Sequence, residues 1–221
     1  MKNEIQVVGL DDIEVQNTTI EDIGSEEVTL VLVCIDQSGS MHKFISDMVK
    51  CQAEFRDALL ASKEENKILL AKALFNNVIT VGGYKKVSEF DITYYADNGT
   101  ALYDVIIQGT DELLKYKDYL VKQGMRVKAV CAVFSDGEDT ASAHRISDAK
   151  TSIEELNTEE ITTAFISFGG ADDIAKKLGF KNILKVGSST SELRKAFNVL
   201  SKSVVTASKS VVADPNQFFV V

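Results

Sequence analysis

The feature that most constrains this chain is the run from Val28 to Ile35, in which only Thr29 and Cys34 interrupt large aliphatic residues. A continuous β-branched run of this length fits a strand buried on both faces, as in the middle of a parallel sheet. It stops abruptly at Asp36-Gln37-Ser38-Gly39-Ser40. In open α/β sheets ligands bind just beyond the carboxyl ends of the strands, where these residues would lie. A carboxylate and two hydroxyls at alternate positions suit a hard cation such as Mg2+.

A second run of the same kind, Val127 to Phe134, ends in Ser135-Asp136-Gly137-Glu138-Asp139-Thr140. Between the two, helical spacing of Phe44, Ile45, Met48, Gln52, Phe55 and Leu59 predicts a helix from Met41 to Ser62, with Ser40 placed to cap it. Ile68 to Phe75 and Val78 to Phe90, joined by Asn76-Asn77, predict an antiparallel hairpin at a sheet edge. Asp97-Asn98-Gly99-Thr100 forms a polar loop before a helix from Ala101 to Lys122, with Thr100 or Asn98 as its cap.

After the second central strand the pattern predicts a helix over Ala143 to Leu156 and a strand over Ile161 to Phe168. A short helix from Asp172 to Leu178, a strand from Ile183 to Val186 and a final helix from Ser191 to Lys209 follow. Strands alternating with helices imply a Rossmann-like, doubly wound α/β fold, mostly parallel, with one antiparallel edge strand and helices on both faces.

The 221 residues suit one domain. Its expected limits are residues 28 to 209, preceded by an acidic arm or small hairpin over 1 to 27 and followed by a tail over 210 to 221. Residues 1 to 27 carry Glu4, Asp11, Asp12, Glu14, Glu21, Asp22, Glu26 and Glu27 against Lys2 alone. The net charge of -9 argues against a nucleic-acid surface and against an anionic membrane face. Neither a signal peptide nor a membrane span is visible, so the cytoplasm is the expected compartment. Cys34, Cys51 and Cys131 show no metal or redox spacing, and Cys34 and Cys131 read as buried small hydrophobes. Glu138 and Asp139 are expected to face solvent, and His42 and His144 to be ordinary polar residues.

Any one of these polar loops alone would be read as a turn or a cap. Together they form a constellation. Asp36-Gln37-Ser38-Gly39-Ser40 resembles the D-x-S-x-S motif of von Willebrand factor A domains. Asn98-Gly99-Thr100-Ala101-Leu102-Tyr103 resembles that family's threonine loop, and Phe134-Ser135-Asp136-Gly137-Glu138 its D-G-[ED] loop, all in the family order. The resemblance covers about residues 28 to 209. It implies an intact metal-ion-dependent adhesion site formed by Asp36, Ser38, Ser40, Thr100 and Asp136, holding Mg2+, with Mn2+ and then Ca2+ as alternatives.

Neutral hydroxyl ligands leave most of the cation's charge uncompensated, so a carboxylate from a protein partner would complete the shell. The size and single domain resemble stand-alone bacterial members of the family, which work with AAA+ ATPases, kinases or phosphatases in assembly, regulatory or stress systems. The sequence itself names no partner.

An enzymatic reading, hydrolysis of a phosphoester, finds no support in a D-x-D strand end, a phosphate-binding G-x-x-x-x-G-K-[ST] loop or a G-x-S-x-G elbow. A non-enzymatic binding module is the expectation. A further alternative is a scaffold in which a carboxylate of the acidic arm occupies the chain's own site.

Overall fold

The structure is a computed structural model that describes residues 17–210 and 214–221, with residue 21 described in its backbone only. A seven-stranded sheet runs in the order β3-β2-β1-β5-β6-β7, with β4 pairing to β2 below β3. The strands are β1 (Glu27–Asp36), β2 (Ile68–Phe75), β3 (Ile79–Val81), β4 (Lys85–Lys86), β5 (Arg126–Ser135), β6 (Thr162–Phe168) and β7 (Asn182–Val186). The helices are α1 (Ile45–Leu60), α2 (Leu102–Lys122), α3 (Ile146–Thr158), α4 (Asp172–Leu178) and α5 (Thr190–Lys209).

The pairings β1–β2, β1–β5, β5–β6 and β6–β7 are parallel, and β3 and β4 are antiparallel to β2. The doubly wound α/β expectation therefore holds. Its antiparallel edge comes as two short pieces: Gly82 N still donates to Lys72 O at 2.9 Å, and the chain leaves the ladder at Gly83 and Tyr84 before β4.

β1 is the centre of the sheet and every residue after Glu27 is buried. Its side chains alternate between two cores, as a two-residue period requires. Val28, Leu30, Leu32 and Cys34 meet the layer of α2, α3 and α4, while Val31, Val33 and Ile35 meet α1 and α5. α2 sits close on β1 because position 109 is glycine; a Cβ there would lie 2.8 Å from Leu32 Cδ2. All three cysteines are buried and free.

The chain passes from β1 to β2 on one side and later returns to β5 on the other. The β1/β5 junction is thus the topological switch point, where the loops after two neighbouring strands part and leave a crevice.

Several expected boundaries shift. A 3-10 segment, Gly39–Phe44, precedes α1, so Ser40 does not cap the helix; α1 begins after Phe44 without a side-chain cap. The turn is tight because the carbonyl of Ser38 accepts from Met41 N at 3.0 Å. Neither Thr100 nor Asn98 caps α2; its first turn is held from another loop, described below. The helix expected from Ala143 begins at Ile146, where Arg145 N donates to Asp148 Oδ2.

The two flanks are partly described. The hairpin or arm expected over the first residues, with Ile5, Val7, Ile13 and Val15, lies outside the described residues. From Asn17 onward the chain lies on the sheet edge: Asn17 Oδ1 accepts from Tyr84 N, and Thr18 N donates to Tyr84 O at 2.8 Å. At the other end, Phe218 is buried and its N–H donates to Asn182 Oδ1.

Among the described residues no helix is long and apolar enough to cross a membrane.

Candidate metal centre

The five expected residues lie on three loops at the C-terminal end of the sheet. Asp36 is the last residue of β1 and is fully buried. Ser38 is 3% exposed, Ser40 is exposed, and their hydroxyl oxygens are 2.8 Å apart. Thr100 stands just before α2 and is buried, while Asp136 follows β5 and is partly buried.

Backbone bonds knit the loops together. Gly39 N donates to Asn98 O at 2.9 Å, and Asp97 N to Gln37 O at 2.8 Å, which joins the serine loop to the threonine loop. Thr140 N and Ala141 N donate to Thr100 O, and Thr100 N donates to Thr140 Oγ1, which joins the threonine loop to the acidic loop. Gly99 N donates to Asn77 Oδ1, so the β2–β3 turn braces the same loop.

Asp36 is held in place from several sides. Its Oδ1 accepts from Ser38 N at 2.8 Å, the closure of an Asx turn, and its Oδ2 accepts from Ser135 Oγ at 2.6 Å. Tyr94 donates its hydroxyl to the Asp36 carbonyl. Burial raises the Asp36 carboxyl to about 6; the Ser135 and Ser38 hydrogen bonds pull it down and the neighbouring Asp136 charge pushes it up. Burial, with the Asp36 and Asp136 charges, also pushes the Tyr94 phenol far above its ordinary range, so it remains a donor.

Asp136 has a different environment. Its Oδ1 is buried and has no hydrogen-bond partner in the protein. A buried carboxylate oxygen left so would cost on the order of 1–3 kcal/mol or more unless something else satisfies it. A hard divalent cation, or a water bound to one, is such a partner. The donor set is oxygen only, which matches Mg2+ and Mn2+ chemistry. Among the described residues no group of three or more His, Cys, Asp or Glu could hold a metal. A cation held here would therefore need the hydroxyls of Ser38, Ser40 and Thr100 as much as the carboxylates.

Ser135 is the residue of the candidate site that motif reading passed over. Its register partner on β6 is Ser167, and on β1 it lies beside Asp36. It donates to Asp36 and accepts from Gly137 N at 3.0 Å, so a single hydroxyl orders both acidic positions. Ser135→Ala removes this support and is expected to weaken Mn2+ binding roughly 10-fold. It should also raise the Asp36 carboxyl further, since the lost hydrogen bond favoured the charged form. Calorimetric Mn2+ titration and carboxyl NMR against pH would check both; unchanged affinity would remove Ser135 from the site.

Four neighbouring residues are placed as follows. Glu138 is exposed, as expected, but Asp139 is anchored: its Oδ1 accepts from Ser142 Oγ at 2.6 Å. His42 Nδ1 lies 3.2 Å from the Ala96 carbonyl, and His144 Nδ1 lies 2.9 Å from Asp104 Oδ1.

No protein-family model matches the chain, and no curated protein does. Solved structures do. The vWF domain of the type V pili tip protein from Porphyromonas gingivalis superposes with a TM-score of 0.59 at 10% identity, covering 85% of this chain and 98% of that one. The fold is that of a von Willebrand factor A domain.

Manganese-loaded TRAP protein from Plasmodium vivax shares the A-type fold with a TM-score of 0.52 at 19% identity, over 78% of this chain and 73% of that one. The open conformation of the pilus adhesin SpaC from Lactobacillus rhamnosus GG gives 0.66 at 11% identity, over 82% of this chain. This chain spans 30% of that adhesin. At such identities the likeness is one of fold.

Proposed function

We propose that this chain is a divalent-metal-dependent protein-binding module that captures an acidic residue of a partner. Ser38, Ser40 and Thr100 would hold Mg2+ or Mn2+ through their hydroxyls. Asp36 and Asp136 would balance its charge and orient its water. The cation supplies a centre with a replaceable ligand, and a partner's carboxylate takes that place. The observation that carries this reading is the unpaired, buried Oδ1 of Asp136 at the loop junction that also gathers Asp36, Ser38, Ser40 and Thr100.

The surroundings suit docking. Val78 and Tyr95 are 58% and 60% exposed, each on a loop that touches the site: Val78 beside Asn77, and Tyr95 beside Tyr94. Exposed apolar side chains next to a polar centre supply contact area that a lone metal–carboxylate bond lacks. The adhesin character of the pilus neighbour and the manganese in the TRAP neighbour support both halves of the reading. We place the chain, as its sequence suggests, in the cytoplasm, within an assembly, regulatory or stress-response system whose other members include an AAA+ ATPase, a kinase or a phosphatase.

The test is affinity purification from a native lysate with Mg2+ and with chelator, using Ser38→Ala and Thr100→Ala as controls. Partners should be retained with Mg2+, fall at least 10-fold with chelator, and fall similarly in both variants. Partners retained equally in chelator would overturn the proposal.

A further inference from the structure

The loop from Asp136 to Arg145, which carries one half of the candidate metal centre, is strapped to the first turn of α2, which follows the other half. Three side chains make the strap: Asp139, whose Oδ1 accepts from Tyr103 N at 3.4 Å, Ser142 and Asp104. Ser142 Oγ accepts from Tyr103 N at 3.0 Å and from Asp104 N at 3.2 Å, so it caps α2 from a distant part of the chain. Ser142 in turn donates to Asp139 Oδ1.

Asp104, only 6% exposed, points back the other way. Its Oδ2 accepts from Ala143 N at 2.8 Å and its Oδ1 from His144 N at 3.0 Å. The same Oδ1 lies 2.9 Å from His144 Nδ1. Because a carboxylate only accepts, the imidazole proton between them belongs on Nδ1. Asp104 is thus a buried carboxylate with every side-chain contact directed at one loop, and it holds the backbone of Ala143 and His144 just after the Ser142 anchor.

We propose that Asp104, closed over by His144, is a positioning residue that, together with the Thr140 and Ala141 bonds to Thr100, fixes the acidic loop against α2 and thereby tunes the metal affinity of the site. The geometry explains why a carboxylate is needed. Two backbone N–H groups and an imidazole N–H converge on it, three donors from one side. An amide in its place would turn an N–H2 toward at least one of them. The inference rests on the metal-binding reading above, but the clasp itself is a property of the metal-free chain.

The experiment uses the full chain and two readouts. In metal-free protein, amide hydrogen exchange at Ala143 and His144 should accelerate at least 10-fold in Asp104→Asn. Mn2+ affinity, measured by calorimetry, should fall between 10-fold and 100-fold in the same variant. His144→Ala keeps both backbone bonds and should lose affinity by no more than about 3-fold.

Leu120→Val, a fully buried change at the far end of α2, controls for a mere loss of stability. It should lower the thermal midpoint and leave Mn2+ affinity unchanged. Unaltered exchange in Asp104→Asn, or Mn2+ affinity within 2-fold of the parent, would overturn the clasp. If the parent chain itself binds no Mn2+ while exchange responds as expected, the clasp stands as a loop anchor and the metal-positioning claim fails together with the metal reading.

Discussion

An Asp36→Asn variant is expected to lose divalent-metal binding by roughly 100-fold, because Asp36 combines buried charge with a role in ordering Ser38. The same variant exposes the energetics of the metal-free site. Burial holds the Asp36 carboxyl at about 6, above the ordinary 3.8. The folded state therefore binds that proton more tightly than the unfolded one. Its contribution to stability is complete below the ordinary value and is lost as pH rises through about 6. A difference of about two units corresponds to about 3 kcal/mol.

The stability of the parent minus that of Asp36→Asn should accordingly fall by up to about 3 kcal/mol between about pH 4 and pH 8 when no metal is present. Saturating Mg2+ should flatten the fall, since the cation stabilises the ionised carboxylate. By the same linkage, protons compete with metal, and Mn2+ affinity should drop as pH falls below about 6. Chemical denaturation of both proteins across this range would decide the matter. A pH-independent difference would mean that burial does not raise the Asp36 carboxyl in the folded chain.

Gly137→Ala should have the largest effect on folding stability of any single methyl added near the site. Gly137 adopts a φ of 88°, in the left-handed region that alanine avoids. A Cβ there would fall 2.4 Å from the Ala171 Cβ and 2.8 Å from Ile174 Cγ2. The first contact is with the base of α4, which cannot swing aside as a long side chain would. Backbone strain of about 1–3 kcal/mol and overpacking of about 1–3 kcal/mol give a loss on the order of 2–6 kcal/mol. For a chain of this size that lowers the thermal midpoint by roughly 4–24 °C.

Metal affinity should fall with it, because Gly137 N holds the hydroxyl of Ser135 that orders Asp36. A variant with the parent's midpoint and affinity would show that α4 is not held against this loop.

Much of the architecture is written locally. The apolar run of β1, the second run of β5 and the helical spacing in α2 and α5 each follow from a period readable within about ten residues. The short helix Asp172–Leu178 matches its expected limits. The caps do not, because a cap is a hydrogen bond and its partner need not be near in sequence. Ser40 lies in the 3-10 turn that precedes α1, five residues before its first residue, while the group that caps α2 is Ser142, 39 residues from the Tyr103 N–H it accepts.

The same division runs through the site. The sequence by itself determined the donor set: Asp36, Ser38, Ser40, Thr100 and Asp136 are oxygen-bearing side chains at strand ends and helix starts, and the cation that such a set would suit is a hard one. Only the tertiary structure decided how they are held. Ser135 meets Asp36 because β1 and β5 pair in one particular register, and a shift of one residue would turn its hydroxyl to the opposite face. Asp104 meets His144 across 40 residues because α2 and the loop before α3 share one layer. Local periodicity selects elements, whereas register and layer packing select which side chains meet, and a buried polar group is determined by whom it meets.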